Sequence, residues 1–521
     1  STGAAHSGAF QGRVPSCEPS KKSIQMEAVT MKKHHLEVAG FTAAAALAFS
    51  LAGCAGQSGN SANTASVVTS SSTEQSGASA SASFAEAAAL DLSSQRLADT
   101  DITTSESYSD ATGGGHAITA DGASAQYAGA TVEKTGDSSG DEADFYGENA
   151  SVFAANGATL DLSDLIVGSD GTHANGVFSY GSGTTVNISH SIIRTADNCS
   201  GGLMTTGGAT MNATDVTAET QGNSSAAIRS DRGGGDVNVS GGYFTTEGVG
   251  SPVIYSTADI AVEGAYLQSG SSQGVVVEGK NSVSLTGCQL IASNTSKNSD
   301  KSDYYQAVMI YQSMSGDASQ GTAEFSLDGS SLTNQNGDIF FVNNTSCEID
   351  FTSSTIVNND ESGVFLRAAA AGWGSQGNNG GKVNLRASDQ VIDGDMLIDD
   401  VSALNLYLND GSTFTGAVNP TGQQGDVYVE LDANSTWTLT DDSYVTSLTC
   451  VQGSINLNGH KLYVNGVEYD GESAVAGSAV DTSSSASGST DGQPGAAPEA
   501  PGDSNGPSGN GGATPPSKPG E

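Results

Sequence analysis

The composition of this 521-residue chain limits the partners that it can have. It contains 58 acidic and 18 basic residues, which give a net charge of −40 at neutral pH. Such a chain repels nucleic acid and anionic lipid headgroups, so we expect it to bind neither of them through charge. Its 68 glycines and 15% of charged residues favour turns and short strands over helices.

The first part of the chain contains a stretch that is typical of an export signal. The basic sequence MKKHH at 31–35 precedes an apolar, alanine-rich run at 36–51. That run suits the apolar part of a signal peptide and is short for a membrane span, which needs about 18–20 apolar residues. Residues 1–30 fit no part of such a signal, so we interpret them as a non-native upstream leader and expect translation to begin at Met31 or Met26.

The apolar run ends in the sequence LAGC at 51–54, which resembles the lipobox of bacterial lipoproteins. The resemblance implies that residues 31–53 are a lipoprotein signal peptide, that cleavage occurs before Cys54, and that the Cys54 thiol carries the lipid. The predicted location is the outer face of the bacterial cytoplasmic membrane or the cell surface, with membrane contact through this lipid anchor.

Two segments of biased composition flank the main domain. Residues 54–88 are rich in Ser, Ala and Gly and are predicted to form a flexible tether. Residues 471–521 are rich in Gly, Pro and Ser and are predicted to be disordered. The folded domain is therefore expected at 89–470.

Similar stretches recur along the domain with a period in the low to middle twenties. The sequence VNVSGGYF at 237–244 aligns with IAVEGAYL at 260–267 and with VSLTGCQL at 283–290, at spacings of 23 residues. Each repeat contains short alternating runs that are separated by turn residues, without a helical pattern. A period of this length without helices indicates a β-solenoid.

The third run of each repeat is the clearest strand, and its central residue is apolar in successive repeats. Because side chains alternate across a strand, we predict that these central residues point inward and stack into a ladder. They are Phe178, Met204, Ile228, Ile254, Val276, Met309, Phe340 and Phe365.

The repeat pattern resembles the right-handed parallel β-helix of pectate-lyase-like proteins and bacterial adhesins, over about residues 105–468. The predicted fold class is all-β: a right-handed parallel β-helix with three strands per coil and about a dozen coils, and with disordered N- and C-terminal segments. Coils stack at about 4.8 Å, so Cys288 and Cys347, which are two coils apart, lie roughly 10 Å from each other and beyond disulfide reach, and the other pairs are farther apart still. We interpret the cysteines of the domain as small core or turn residues; they are Cys199, Cys288, Cys347 and Cys450.

The sequence shows no catalytic or metal-binding motif. Acidic residues are plentiful but lie mostly in turns, where local hydrogen bonds explain them. His173, His190 and His460 fall in different repeats, with no matched pair of carboxylates nearby in the repeat. We therefore predict no catalytic residue, no metal ligand and no cofactor. Calcium binding stays possible, although no motif in the sequence supports it.

A ligand-binding groove is predicted on the third strand, which is also apolar at its outward positions in the later repeats. Insertions at about 294–303 and 368–380 flank this strand. A strand that is apolar on both sides is either covered on both or presents an apolar patch. We predict that the insertions form the walls of a groove; the alternative is that they only seal the sheet. The residues expected near the groove are Arg229, Tyr255, Tyr311, Phe341, Arg367 and Trp373.

These features together predict a monomeric, lipid-anchored, adhesin-like surface protein that binds a polysaccharide or surface glycoconjugate without catalysis. One alternative is a polysaccharide lyase or glycoside hydrolase on a pectate-lyase-like β-helix, and another is a structural spacer of the cell envelope. Several carboxylates on one face in consecutive coils would favour the enzyme, and the sequence shows no such set.

Overall fold

The computed structural model describes residues 90–297, 299–313 and 315–483. The predicted leader, signal peptide, lipid site at Cys54 and tether, and the tail beyond residue 483, lie outside the described residues. No helix in the described ranges is long and apolar enough to cross a membrane.

The described chain is a parallel β-helix in which each coil contributes a strand to each of three faces, numbered here in chain order. Equivalent residues of successive coils lie opposite one another, as Val237, Ile260 and Val283 do on the first face. The third face is an 11-stranded parallel sheet. The predicted all-β solenoid with three strands per coil is therefore confirmed.

In the early coils, single long strands bend across the first and second faces. In the later coils, each of these faces has its own shorter strand. The long strands are Ala125–Lys134, Thr159–Ser169, Thr185–Thr195 and Ala209–Thr220. The later first-face strands are Gly235–Ser240, Asp259–Glu263, Ser282–Thr286, Thr322–Asp328, Thr345–Thr352, Gly381–Ser388, Ala403–Asn409, Asp426–Leu431 and Ser447–Thr449. The other second-face strands are Glu106–Asp110, Tyr243–Thr246, Tyr266–Ser269, Gln289–Ala292, Ser331–Asn334, Thr355–Asn358, Val391–Asp393, Thr413–Thr415, Thr436–Thr438 and Ile455–Asn456.

The third face carries the site described below. Its sheet consists of Ile118–Asp121, Val152–Ala155, Val177–Tyr180, Leu203–Thr206, Ile228–Asp231, Ile254–Ser256, Val275–Glu278, Gln306–Tyr311, Asp338–Asn343, Val364–Ala368 and Asp395–Ile398. The last coils add Ser443–Val445, Leu462–Val464 and the antiparallel Val467–Glu468. The helices are the 3-10 turns Ser93–Gln95 and Asp99–Asp101 and the α-helix Asp141–Tyr146.

The inward column of the third face differs from the predicted one by one residue in several coils. Ile228 stacks on Ile254, as predicted. Ile254 then stacks on Val275, whereas Val276 faces outward. The predicted inward orientation is wrong also for Phe178, Met204 and Met309, which belong to outward apolar clusters. Both sides of these strands are apolar, so hydrophobic alternation did not fix which side faces the core.

The cysteines of the domain are buried in the solenoid. Cys288, Cys347 and Cys450 are free thiols, so the expected lack of disulfides among these repeats holds for them. Burial raises the pKa of the Cys288 thiol to about 11, as expected for an inert core residue. Cys199 is also buried, as expected of a small core or turn residue, and it is disulfide-bonded, but not to any of these three cysteines.

An N-terminal strap, residues 90–102, runs over the second face along the axis of the solenoid. The backbone amide of Leu92 donates to Oε1 of Gln289 at 2.8 Å. Farther along, Asp99 pairs with Arg194 at 2.6 Å. The strap therefore enters beside a middle coil and runs back toward the start of the solenoid.

A C-terminal strap, residues 471–483, runs over the first face in the same direction. Val475 forms an antiparallel bridge with Cys450. The carbonyl of Thr482 accepts a hydrogen bond from the Ser346 hydroxyl at 3.0 Å, several coils earlier. These residues begin the segment that is predicted to be disordered, yet they are bonded to the coils.

The α-helix Asp141–Tyr146 covers the outward side of the third face in the early coils. The Tyr146 ring meets the Tyr180 ring edge to face, with centroids 5.7 Å apart. Phe178 and Met204 lie fully buried in the apolar cluster on this side of the sheet. The helix therefore closes this part of the face.

Candidate functional site

The two insertions fold over the outward side of the third face in its later coils. Tyr304 follows the first insertion and Trp373 belongs to the second, and both pack against an outward apolar cluster. The buried members of this cluster are Val276, Met309, Tyr311, Phe341 and Ala369. The insertions do not close the face completely, because they leave a pocket of about 780 Å³, part of it open to solvent.

Aromatic rings supply much of the apolar wall of the pocket. Tyr311 and Trp373 meet edge to face, with ring centroids 5.2 Å apart. The Tyr304 ring lies 5.4 Å from the ring of the fully buried Phe341 beneath it. Tyr255 and Tyr305 complete the aromatic lining. The pocket wall is therefore largely aromatic.

The charged residues of the lining are positive, whereas the whole chain is strongly negative. Lys297 and Lys301 line the pocket, and none of the described lining residues is Asp or Glu. Lys297 pairs at 3.2 Å with Asp303, a carboxylate that is 98% exposed. The Lys301 ammonium lies 5.9 Å from the centre of the Trp373 ring, and among the described residues no carboxylate forms an ion pair with it. The lining is therefore cationic within a strongly anionic protein.

A buried carboxylate lies behind two of the lining tyrosines. Glu278 ends the strand Val275–Glu278 and is 0% exposed. Its Oε2 accepts hydrogen bonds from the hydroxyls of Tyr255 and, at 3.2 Å, Tyr311, and its Oε1 accepts one from Ser313. Burial raises the pKa of Glu278. Burial, with the adjacent Glu278 carboxylate, holds the pKa of both tyrosines well above 10.

Arginine–aspartate pairs continue this polar cluster toward the early coils. Arg229 pairs with Asp231 at 2.7 Å, and its guanidinium lies 5.9 Å from the Tyr255 ring centre. Arg232 pairs with Asp317 at 2.7 Å and with Asp141 of the α-helix at 2.9 Å. The pairs therefore connect the helix-covered part of the face with the part that contains the pocket.

Another arginine supports the wall on the opposite side of the pocket. Arg367 pairs with Asp338 at 2.6 Å, and its guanidinium lies 4.2 Å from the centre of the Tyr304 ring. Burial raises the pKa of Asp338, and the hydrogen bond from Arg367 opposes that shift. Arg367 therefore holds a wall residue in place from behind.

The structure brings the predicted site residues together on one side of the sheet, although not all of them line the pocket. Tyr255, Tyr311 and Trp373 line it. Phe341 lies beneath the lining, and Arg229 and Arg367 lie behind lining tyrosines. Sequence reasoning missed the two lysines and Glu278. Both lysines fall within the insertion identified at 294–303, and Glu278 is a charged residue directly after three valines, so both signals were present.

Histidines outside the pocket meet single carboxylates, which the repeat pattern did not indicate. His173 Nδ1 lies 2.6 Å from Asp144 Oδ1, and His190 Nδ1 lies 2.7 Å from Asp164 Oδ1. The ligand atoms of the buried Asp144, His173 and Cys199 lie within 4.8 Å of one another. Because Cys199 is disulfide-bonded, it does not offer a thiolate to a metal.

The other group of metal-ligating type in the described residues lies near the end of the solenoid. Asp441, Asp442 and His460 place their ligand atoms within 4.8 Å of one another. Asp441 and Asp442 face solvent to different extents and also accept backbone hydrogen bonds. Such local bonding explains the arrangement without an ion, so we assign no metal here.

Comparison with known proteins adds no family to this description. Neither a protein-family model, nor a curated protein, nor a solved structure matches the chain.

Proposed function

We propose that this chain is a non-enzymatic, adhesin-like surface protein whose pocket binds a sugar of a polysaccharide or glycoconjugate. The observation that carries the proposal is the pocket wall of Tyr255, Tyr304, Tyr311 and Trp373. Sugar rings present apolar C–H faces that pack on aromatic rings, and their hydroxyls pair with a few well-placed polar groups.

The absence of carboxylates from the described lining supports binding over cleavage. Most glycoside hydrolases need two carboxyl groups flanking the scissile bond. Glu278 is fully buried and already accepts three hydroxyl donors, so it does not face a substrate directly. A polysaccharide lyase or hydrolase stays the competing proposal. Unsaturated products or new reducing ends after incubation with acidic polysaccharides would favour it.

The proposed location rests on the sequence at 31–54. The lipobox-like LAGC and the Ser/Ala/Gly-rich stretch after it support a protein that is lipid-anchored on the outer face of the membrane. Replacing Cys54 by Ala tests this part separately. We expect the variant to leave the membrane fraction and to lose incorporation of a labelled fatty acid, while its sugar binding is unchanged.

The binding proposal is tested by a glycan array probed with the wild-type chain and a Trp373→Ala variant. Trp373 is half-buried and lies in an insertion, so its removal should leave the coils folded. Loss of its ring should weaken binding of the array hits by about tenfold or more. Tyr463→Ala is the matched control, because Tyr463 stacks on Tyr444 at 4.8 Å and does not line the pocket.

The outcome of this test separates the proposals. Loss of binding in Trp373→Ala, with Tyr463→Ala unchanged and both variants folded, would support the pocket as the sugar site. Equal binding by all three proteins would contradict it. A blank array for the wild-type chain would leave the envelope spacer as the better description.

A further inference from the structure

Glu278 is an unusual residue for the middle of a covered sheet. It is 0% exposed, and no ion pair among the described residues includes it. The negative charges of Asp231 and Asp317 raise its pKa further. Burying a carboxylate without a cation is costly unless hydrogen bonds satisfy it. Three hydroxyl donors satisfy Glu278, so its role depends on the groups that carry those hydroxyls.

The hydrogen bonds of Glu278 connect three consecutive coils. Tyr255 lies one coil earlier, opposite Val276, and Tyr311 lies one coil later, opposite Glu278. Both tyrosine hydroxyls donate to the same carboxylate oxygen, Oε2, and the two hydroxyl oxygens are 3.3 Å apart. A single carboxylate thus fixes two rings of the pocket wall, and Tyr311 in turn contacts Trp373.

We propose that Glu278 is the positioning residue of the sugar pocket: it locks the Tyr255 and Tyr311 rings and turns both hydroxyl hydrogens away from the ligand. This inference rests on the proposed sugar-binding function. With their hydrogens engaged, the phenolic oxygens keep only lone pairs to offer. The ligand groups that meet them must therefore be donors, as sugar hydroxyls are. A sugar whose hydroxyl at that point is replaced by fluorine cannot donate.

The same arrangement makes the site sensitive to pH. The groups around Glu278 are the hydroxyls of Tyr255, Tyr311 and Ser313 and the carboxylates of Asp231 and Asp317, which pair with Arg229 and Arg232. When Glu278 takes up a proton on Oε2, the new O–H needs an acceptor, and one of the two tyrosine hydroxyls that donate to Oε2 has to turn round. Burial raises the pKa of Glu278 above the ordinary value of 4.5. Binding should therefore weaken as the pH falls through that raised pKa.

The test uses the full chain as wild type, Glu278→Gln and Glu278→Leu. The probes are the methyl glycosides of glucose, galactose, mannose and N-acetylglucosamine and their deoxyfluoro derivatives, titrated from neutral to mildly acidic pH. Gln keeps an acceptor for the two tyrosines and does not titrate, whereas Leu removes the acceptor. We expect the Glu278→Leu variant to bind about tenfold more weakly than wild type. The Glu278→Gln variant should bind within about threefold of wild type, and its binding should not change with pH.

A second pair of variants covers the case in which Glu278→Leu fails to fold. Tyr255→Phe and Tyr311→Phe keep the rings and remove the hydroxyls, and each should weaken binding about tenfold. If the Glu278 and tyrosine variants bind like wild type at every pH while Trp373→Ala does not bind, the positioning role is refuted and sugar binding stands. If wild type binds none of the probes and the array is blank, the proposed function itself fails.

Discussion

The early and late coils of the third face share an outward apolar column but differ in what covers it. In the early coils the α-helix Asp141–Tyr146 covers the cluster that contains Phe178, which is 0% exposed. In the late coils loops from two separate insertions cover Phe341, also 0% exposed, and leave a pocket above it. A compact helix packs along its length, whereas two loops that meet at their edges leave space. The kind of cover therefore decides whether an outward column becomes core or site.

The largest expected effect tests whether the helix-covered part is core. Phe178→Ala removes a fully buried ring and should lower the free energy of unfolding by about 3–5 kcal/mol. Urea unfolding followed by circular dichroism measures this. Phe178→Leu is the control and should lose less stability, because leucine keeps most of the side-chain volume. A loss below about 1 kcal/mol for Phe178→Ala would show that the helix does not seal this side of the sheet.

The next effect concerns the support behind the pocket wall. Arg367→Met leaves Asp338, which is 4% exposed, without its cation. Because Arg367 is itself 19% exposed, we expect a loss of about 2–3 kcal/mol, below that of a fully enclosed pair. Asp338→Asn in the Arg367→Met background should restore part of this stability, since the unpaired charge is gone. Additive losses in this double-mutant cycle would contradict a coupled pair.

The smallest expected effect concerns the cationic rim of the pocket, which consists of Lys297 and Lys301. Lys301→Met should weaken binding of glucuronate about threefold at low salt and reduce the salt dependence of binding. It should leave binding of neutral sugars and the stability of the protein unchanged. Lys382→Met is the control, because Lys382 lies on the first face, in the strand Gly381–Ser388. Equal effects of the two substitutions would show that net charge, and not the rim, attracts the anion.

The solenoid could be predicted from the sequence because its period repeats the same kind of residue at the same place in each coil. The phase of the third strand could not be predicted from hydrophobicity in every coil, because apolar residues lie on both sides of the strand. Ile228 is followed by Arg229, and Ile254 by Tyr255, and both isoleucines face inward as predicted. The three valines at 275–277 carry no such contrast, and there the prediction slipped by one residue.

The site could be predicted in part, through the aromatic residues and the insertions. Glu278 was missed because a single acidic residue after an apolar run is usual at the end of a strand. The α-helix Asp141–Tyr146 is too short to show helical periodicity. The C-terminal strap is joined to the coils largely through backbone and polar side-chain groups, which leave no apolar pattern in the sequence.

The two straps determine how the protein would respond to a mechanical load. The N-terminal strap begins beside the coil of Gln289, and the C-terminal strap ends beside that of Ser346, two coils later and on the adjoining face. Several coils extend beyond these points on either side. Tension applied at residues 90 and 483 would act on middle coils of the solenoid. It would first break the hydrogen bonds that hold the straps to the coils. Unwinding from a terminal coil would then follow the loss of the straps and not precede it.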